Sequence, residues 1–284
     1  AYEILRKTLH AIEMPWDAAK YRLKRRFHLY HPIHPVPYRG YGNASRAVLT
    51  GRVLEKRRIG DAASDDSWWE NALAMVRRFT TDEIPYFGLR CHQTLETTTD
   101  SEGYFYFEFE YDKVPDADEL WRPVKLALQE TLSDEDEAAA TGEVLIPPQD
   151  AEFGVISDID DTVLQSSATE AWRMAWLTFS RNAQTRTPFP HVAKFYQALH
   201  RGSRPRGRNP IFYVSSSAWN IYDLFTQFMQ LHGLPKGPIL LRDLGLDSEK
   251  FIKTGHEHKI EKIENILDIY PNLPFVLVGD SGQR

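Results

Sequence analysis

The stretch VISDIDDT, residues 155–162, decides how this sequence of 284 residues is interpreted. It begins within a short apolar run, Phe153–Ser157, and then places three aspartates within four positions. A continuous apolar run followed by turn-forming residues is typical of a buried parallel strand. Taken alone, the segment is equally consistent with an Asp-rich turn, because such turns are common and often cap helices. The residues at the ends of the neighbouring strands must therefore decide between these interpretations.

Strand-like and helix-like runs alternate throughout the sequence after residue 150. The strand candidates are Phe153–Ser157, Ile211–Val214, Ile239–Leu241 and Phe275–Val278. Helical patterns cover Thr169–Arg181, Val192–His200, Ala218–His232 and Lys259–Tyr270. This alternation predicts an α/β domain over residues 151–284, built on a doubly wound parallel sheet. The ligand site of such a sheet is expected at the carboxyl ends of its strands.

Residues 1–150 predict a β-rich, sandwich-like domain with a helical insertion. Its clearest signal is the run Gly103–Tyr111, in which apolar and polar residues alternate. The remaining candidates are the strands Ala47–Leu54, Val124–Leu128 and Glu143–Pro147, and the helix Ser67–Phe79. The stretch His31–Gly42 contains too much proline for a central strand. The acidic run Asp134–Glu137 predicts a solvated loop between strands.

Polar side chains stand at the predicted carboxyl ends of three strands in the second domain. Asp158 and Asp160 follow the first strand, Ser215 the second and Asp280 the fourth, and Lys259 opens the helix before the fourth. Because parallel strands present these ends at one edge, the residues are expected to share a crevice. Paired carboxylates suit a nucleophile and an acid/base, and carboxylates from two strands suit Mg²⁺. A hydroxyl and an ammonium suit phosphoryl oxygens, so the set predicts Mg²⁺-dependent phosphoryl transfer.

This constellation resembles the haloacid dehalogenase superfamily, whose four motifs match in order. The DxDxT motif matches residues 158–162, the strand-end serine matches Ser215, and the motif lysine matches Lys259. The GD pair of the fourth motif matches residues 279–280. That motif usually carries another acidic residue a few positions later, whereas the sequence stops at Arg284. Two expectations follow: either the catalytic domain is truncated at this end, or a helper for metal binding is absent.

The resemblance to the superfamily implies a role for each matched residue. Asp158 would be the nucleophile and a metal ligand. Asp160 would be the acid/base and would give the metal its main-chain carbonyl, and Asp280 would also bind Mg²⁺. The implied substrate-binding residues are Thr162, Ser215, Ser216 and Lys259.

Longer segments resemble the catalytic domain of actin-patch-type phosphatidate phosphatases. They are DIDDTV (158–163), YVSSSAWNIYDLF (213–225), GPILLRDLG (237–245), the HK pair (258–259) and FVLVGDSGQ (275–283). The GYG…GRVL segment, residues 40–54, is similar to that family and its bacterial relatives. The resemblance extends over residues 38–284 and implies dephosphorylation of phosphatidate to diacylglycerol.

Some of these residues have other interpretations. Asp161 matches no catalytic position and is interpreted as a turn or cap carboxylate. Ser216 and Ser217 are also predicted to cap the following helix, which leaves Ser215 as the better phosphate ligand. Lys253 competes with Lys259 for the lysine role. Lys259 is favoured because it starts a helix that leads directly into the fourth strand.

Composition limits the partners and the compartment. The formal charge of −6 argues against a general nucleic-acid binder. One cysteine permits no intrachain disulfide, which suits a reducing, cytoplasmic location. No apolar run is long enough to span a membrane. Peripheral contact with a membrane remains open through the basic run Lys20–Arg26 or an aromatic helix face at Trp172–Phe179.

Three functions therefore remain under consideration. The first is phosphatidate hydrolysis, with a phospholipid as substrate. The second is hydrolysis of a small soluble phosphomonoester, which the lack of a membrane anchor favours. The third is a lipid- or protein-binding module that has lost catalytic activity. The sequence defines neither the oligomeric state nor the role of the N-terminal domain.

Overall fold

The computed structural model describes residues 32–55, 84–92, 94–110, 120–159, 190–203, 208–219, 222–242 and 255–279. The chain divides into two compact units. Unit one comprises residues 1–38, 48–109 and 123–143, and unit two comprises residues 39–47, 110–122 and 144–284. The second unit therefore takes in three segments from the part of the sequence assigned above to the N-terminal domain, namely residues 39–47, 110–122 and 144–150.

Eight of the described strands form one mixed sheet. They are β1 (Ile33–Pro37), β2 (Gly40–Gly42), β3 (Arg46–Glu55), β4 (Gly88–Cys91), β5 (Leu95–Thr98), β6 (Tyr104–Glu110), β7 (Trp121–Leu128) and β8 (Ala139–Leu145). Their order is β1-β3-β2-β8-β7-β4-β5, with β6 paired to β3. The proline-rich β1 is the first strand of this order, and an edge strand tolerates residues that lack an N–H donor.

Two local predictions for this half of the chain can be compared with the structure. The alternation of β6 is confirmed, since Phe105, Phe107 and Phe109 are buried while Tyr106 and Glu108 are exposed. The acidic run 134–137 does connect β7 to β8, but it is more than a solvated loop, because Asp136 accepts several hydrogen bonds. The predicted helix Ser67–Phe79 lies outside the described residues.

The other four strands form a parallel sheet in unit two. They are β9 (Gly154–Asp158), β10 (Ile211–Ala218), β11 (Ile239–Arg242) and β12 (Phe275–Val278). The order is β11-β10-β9-β12, so that β9, the first of the four in sequence, lies between β10 and β12. Val155, Ile156, Phe212 and Tyr213 are almost fully buried, as expected for strands covered on both faces.

The helices described in unit two are α1 (Pro190–Arg201), α2 (Tyr222–Leu231) and α3 (Gly255–Ile269). Each follows one strand of the parallel sheet and precedes the next. They bury Tyr196 from α1, Phe225 from α2 and Ile266 from α3. The predicted helix Thr169–Arg181 lies outside the described residues. No helix within the described ranges is long and apolar enough to cross a membrane.

Several predicted element boundaries in unit two differ from the structure, and two of them bear on the predicted site residues. β10 continues to Ala218 instead of ending at Val214, because its register with β11 shifts and Ala218 still pairs with Arg242. Ser216 and Ser217 therefore lie in a strand, and α2 begins at Tyr222 rather than directly after these serines. Likewise, α3 begins at Gly255, so Lys259 lies in its second turn and does not open the helix.

Candidate functional site

Asp158 is the last residue of β9 and lies between two parallel neighbours. On one side it pairs with Val214 of β10, and the ladder continues with the hydrogen bond from Ile159 N to Val214 O, 3.0 Å long. On the other side Ser157 pairs with Val278, so Gly279 is the neighbour of Asp158. A Cβ atom placed on Gly279 would lie 3.7 Å from the Asp158 Cβ. Asp158 thus stands at the carboxyl end of a central strand.

Lys259 reaches this strand end from α3. Its Nζ lies 2.7 Å from Asp158 Oδ2, and the Lys259 and Asp158 side chains are 14% and 25% exposed. The pair is partly buried, which makes it less screened by salt than a surface pair. The structure therefore brings together the two groups predicted to be nucleophile and phosphate ligand, and it aligns a cation with the carboxylate.

The predicted serines lie on the adjacent strand. Ser215 follows Val214, the residue paired with Asp158, and is 1% exposed. Ser216 is half-buried and lies where the register of β10 shifts. Both serines are therefore one strand away from Asp158, close to the same end of the sheet.

The other predicted site residues lie outside the described part of the chain. These residues are Asp160, Asp161, Thr162, Lys253 and Asp280, together with the basic run Lys20–Arg26 and the aromatic segment Trp172–Phe179. Among the described residues, no three His, Cys, Asp or Glu side chains lie together as a metal-binding group. Within this part of the chain, Asp158 is the predicted metal ligand whose position is seen.

Two features of the site were not predicted from the sequence. The first is a contact between Ser157 and Tyr196 of α1, whose hydroxyl oxygens lie 2.5 Å apart. Both residues are fully buried. The only sequence signal was a serine within an otherwise apolar strand, and such a residue needs a hydrogen-bond partner when buried.

The second feature is the segment Arg39–Ala47, which belongs to unit two with α3. Asn43 Nδ2 donates to Ile269 O over 2.8 Å, and the Tyr270 hydroxyl donates to Gly42 O over 2.8 Å. Arg46 Nη2 also donates to Asp268 O over 3.2 Å. The bonds to Ile269 O and Asp268 O satisfy carbonyls at the end of α3 that lack a partner within the helix. The segment thus anchors the helix that carries Lys259.

Comparison with known proteins connects this geometry to an enzyme family. Residues 153–284 match the family described as "Phosphatidate phosphatase APP1, catalytic domain". This segment is therefore similar to the catalytic domain of a phosphatidate phosphatase. The Phosphatidate phosphatase APP1 of Saccharomyces cerevisiae is 32% identical over 133 residues, which are 46% of this chain and 22% of that relative. The chain thus aligns with about a fifth of the length of the curated relative that it matches.

The similarity to phosphatidate phosphatases predicted from the sequence is confirmed for residues 153–284. It supports classifying this phosphatidate phosphatase-like segment as a phosphomonoester hydrolase domain. The segment contains β9 to β12 and the ion pair of Asp158 with Lys259. Membership of the haloacid dehalogenase superfamily stays a prediction.

Proposed function

We propose that unit two is a Mg²⁺-dependent phosphatase that hydrolyses phosphatidate through a phospho-aspartate on Asp158. The observation that carries the proposal is the ion pair of Asp158 and Lys259, at a strand end within a segment similar to a phosphatase catalytic domain. An anionic nucleophile beside a cation suits attack on a phosphoryl group, because the cation offsets the charge of the phosphate oxygens.

The strand order supports the same proposal. Numbered by sequence within the parallel sheet, the order is 3-2-1-4, which is how the order of a doubly wound sheet begins. In such sheets ligands bind at the carboxyl ends of strands, where the order reverses. That point lies between β9 and β12, beside Asp158 and Gly279. We therefore include a doubly wound, haloacid dehalogenase-like fold in the proposal.

The proposed reaction has two displacement steps at phosphorus. In the first, an Asp158 carboxylate oxygen attacks the phosphorus atom, the bond to the ester oxygen breaks, and Asp160 protonates the leaving alcohol. In the second, Asp160 takes a proton from water, and the water oxygen attacks the phospho-aspartate. The bond between phosphorus and Asp158 then breaks, which releases inorganic phosphate and restores both carboxyl groups.

Lys259 and Ser215 are proposed to hold the phosphoryl group during these steps. An ammonium has three hydrogens, so Lys259 can keep its contact with Asp158 while it donates to a phosphoryl oxygen. Ser215 lies on the adjacent strand, next to the residue paired with Asp158. In the proposal Ser216 and Thr162 are further contacts to substrate oxygens.

The donor chemistry at the strand end fits Mg²⁺. Carboxylate and carbonyl oxygens are its preferred ligands, and Asp158 supplies one carboxylate there. The residue after Gly279, the strand neighbour of Asp158, is Asp280. The proposed ligands are Asp158, Asp280 and the main-chain carbonyl of Asp160, with waters completing the shell. When bound, the ion would offset negative charge on the phosphoryl oxygens.

Phosphatidate is the proposed substrate because the matching family and relative are named for it. A cytoplasmic protein in peripheral contact with a membrane would meet such a substrate. The test compares phosphate release from phosphatidate in mixed micelles with release from water-soluble monoesters, with Mg²⁺ and with chelator. Release from phosphatidate that requires Mg²⁺ supports the proposal. If phosphate is released from soluble esters alone, the substrate is a soluble phosphomonoester and the lipid proposal fails. If no ester releases phosphate, the domain is better explained as an inactive binding module.

A further inference from the structure

Ser157 and Asp158 are consecutive residues of β9 that contact different helices. Side chains of consecutive strand residues project to opposite faces of a sheet. Ser157 contacts Tyr196 of α1, and Asp158 contacts Lys259 of α3. The end of β9 is therefore held from two helices, and the contact with α1 has no assigned role in the proposed reaction.

Ser157 has a single hydroxyl hydrogen, so it donates to one partner at a time. Ser157 Oγ lies 3.3 Å from Asp158 O and donates to it. Either hydroxyl can be the donor in the 2.5 Å bond between Tyr196 and Ser157, and when Tyr196 donates, the Ser157 hydrogen is available for Asp158 O. Both side chains are 0% exposed, so water does not replace either bond if one hydroxyl is removed.

The Tyr196 hydroxyl stays protonated at neutral pH and is therefore able to donate a hydrogen bond. Burial raises the pKa of Tyr196, the hydrogen bond with Ser157 lowers it, and the negative charge of Asp158 raises it. The net change is upward, so the hydroxyl keeps its proton.

We propose that Tyr196 is a positioning residue that, through Ser157, sets the direction in which the Asp158 carboxylate leaves β9. With Tyr196 in place, Ser157 Oγ is held against Asp158 O, so the last peptide of the strand has one orientation. Without it, the Ser157 side chain is able to change rotamer, and that orientation is no longer held. A nucleophile displaced by about 1 Å can lose a hundredfold in rate. The inference rests on the proposed phosphatase function.

Tyr213 provides a matched control for Tyr196. Its ring lies 6.1 Å from the Tyr196 ring, it is 1% exposed, and its hydroxyl donates to Pro235 O over 2.9 Å. Tyr196→Phe and Tyr213→Phe therefore each remove one buried hydroxyl from the same cluster and keep the ring. Only the first removes a link to Asp158.

The activity test compares kcat and KM of these two variants. We expect Tyr196→Phe to lower kcat by about tenfold or more while KM changes by less than about twofold, and Tyr213→Phe to change kcat by less than about twofold. Ser157→Ala should match Tyr196→Phe, and combining the two should add little, since both break one chain of hydrogen bonds. Equal losses in Tyr196→Phe and Tyr213→Phe would overturn the inference.

A second test does not depend on activity. The coupling between Asp158 and Lys259 is measured in urea unfolding by a double-mutant cycle with Asp158→Asn and Lys259→Met. The cycle is repeated in the Tyr196→Phe and Tyr213→Phe backgrounds. We expect the coupling to fall by about half with Tyr196→Phe only, and an unchanged coupling would refute the positioning role. If the wild-type protein releases no phosphate, the proposed function fails while this cycle still decides the role of Tyr196.

Discussion

Lys259 Nζ lies 2.7 Å from Asp158 Oδ2, which ties the second turn of α3 to the carboxyl end of β9. The two residues are 101 positions apart in the chain, so only the tertiary fold brings them together. This pair is the centre of the proposed active site, and its geometry leads to the first two predictions.

Asp158→Asn should abolish phosphate release. An amide is not a nucleophile at phosphorus under these conditions, so no phosphorylated protein should form. An acid quench after incubation with labelled substrate measures both the phosphate released and the phosphorylated protein formed. Asp150→Asn, which removes an exposed carboxylate, is the control and should retain both. Normal labelling of the Asp158→Asn protein would show that another residue is the nucleophile.

Lys259→Met should reduce kcat/KM by at least about a hundredfold, because a cation facing the transferred phosphoryl group is lost. Lys262→Met is the matched control on the same helix. The Lys262 Nζ lies 5.8 Å from the centre of the Trp219 ring and has no role in the proposed reaction. Its kcat/KM should stay within about threefold of wild type. A similar loss in both variants would mean that general positive charge on α3, rather than Lys259, is what matters.

The segment Arg39–Ala47 should stabilise unit two. Asn43→Asp removes the donor to Ile269 O and places a negative charge at the C-terminus of α3, where the helix dipole disfavours it. Tyr270→Phe removes the bond to Gly42 O. Each should lower the free energy of unfolding by about 1–2 kcal/mol, and together they should be less than additive.

Urea unfolding measures these losses. Tyr106→Phe is the control, since Tyr106 is exposed and its hydroxyl donates to Glu108 Oε2 over a long distance of 3.3 Å. It should change the unfolding free energy by less than about 0.5 kcal/mol. Wild-type stability in Asn43→Asp and Tyr270→Phe would show that the segment does not hold α3.

Asp136 should make unit one sensitive to acid. Burial raises the pKa of this carboxyl, but hydrogen bonds from Ile33 N, Ser133 N, Leu132 N and the Ser133 hydroxyl lower it below its usual value. Because the folded-state pKa is depressed, the ionised Asp136 carboxylate contributes to the free energy of unfolding at pH values above the unfolded-state pKa of about 3.9. This contribution is lost as the pH falls through the folded-state pKa.

The measurement is the free energy of unfolding as a function of pH for wild type and Asp136→Asn. The variant should be less stable at neutral pH, and the difference should shrink as the pH falls below about 4. Asp134→Asn, an exposed carboxylate in the same loop, should behave as wild type. A constant difference across this range would mean that Asp136 ionisation does not contribute.

Much of the parallel sheet was predictable from the sequence, since buried strands require continuous apolar runs. Phe275–Val278 is found with the predicted bounds, and β9 begins and ends one residue later than predicted. The short strands β2, β4 and β5 were not predicted. With three or four residues each, they carry too little pattern and form only because a neighbouring strand supplies hydrogen bonds.

The sequence by itself determined which chemical groups follow each buried strand. It therefore also determined that Asp158, Ser215 and Lys259 belong near one edge of a sheet. The tertiary structure alone decided how they are held. In the parallel sheet, Asp158 pairs with Val214, and β10 continues past Ser215 after a shift in its register with β11. The helix α3 begins at Gly255, which places Lys259 in its second turn. The hydrogen bond of Tyr196 to Ser157 joins residues 39 positions apart. Local sequence patterns report periodicity and turn chemistry, whereas these contacts depend on which faces pack together, a property of the whole fold.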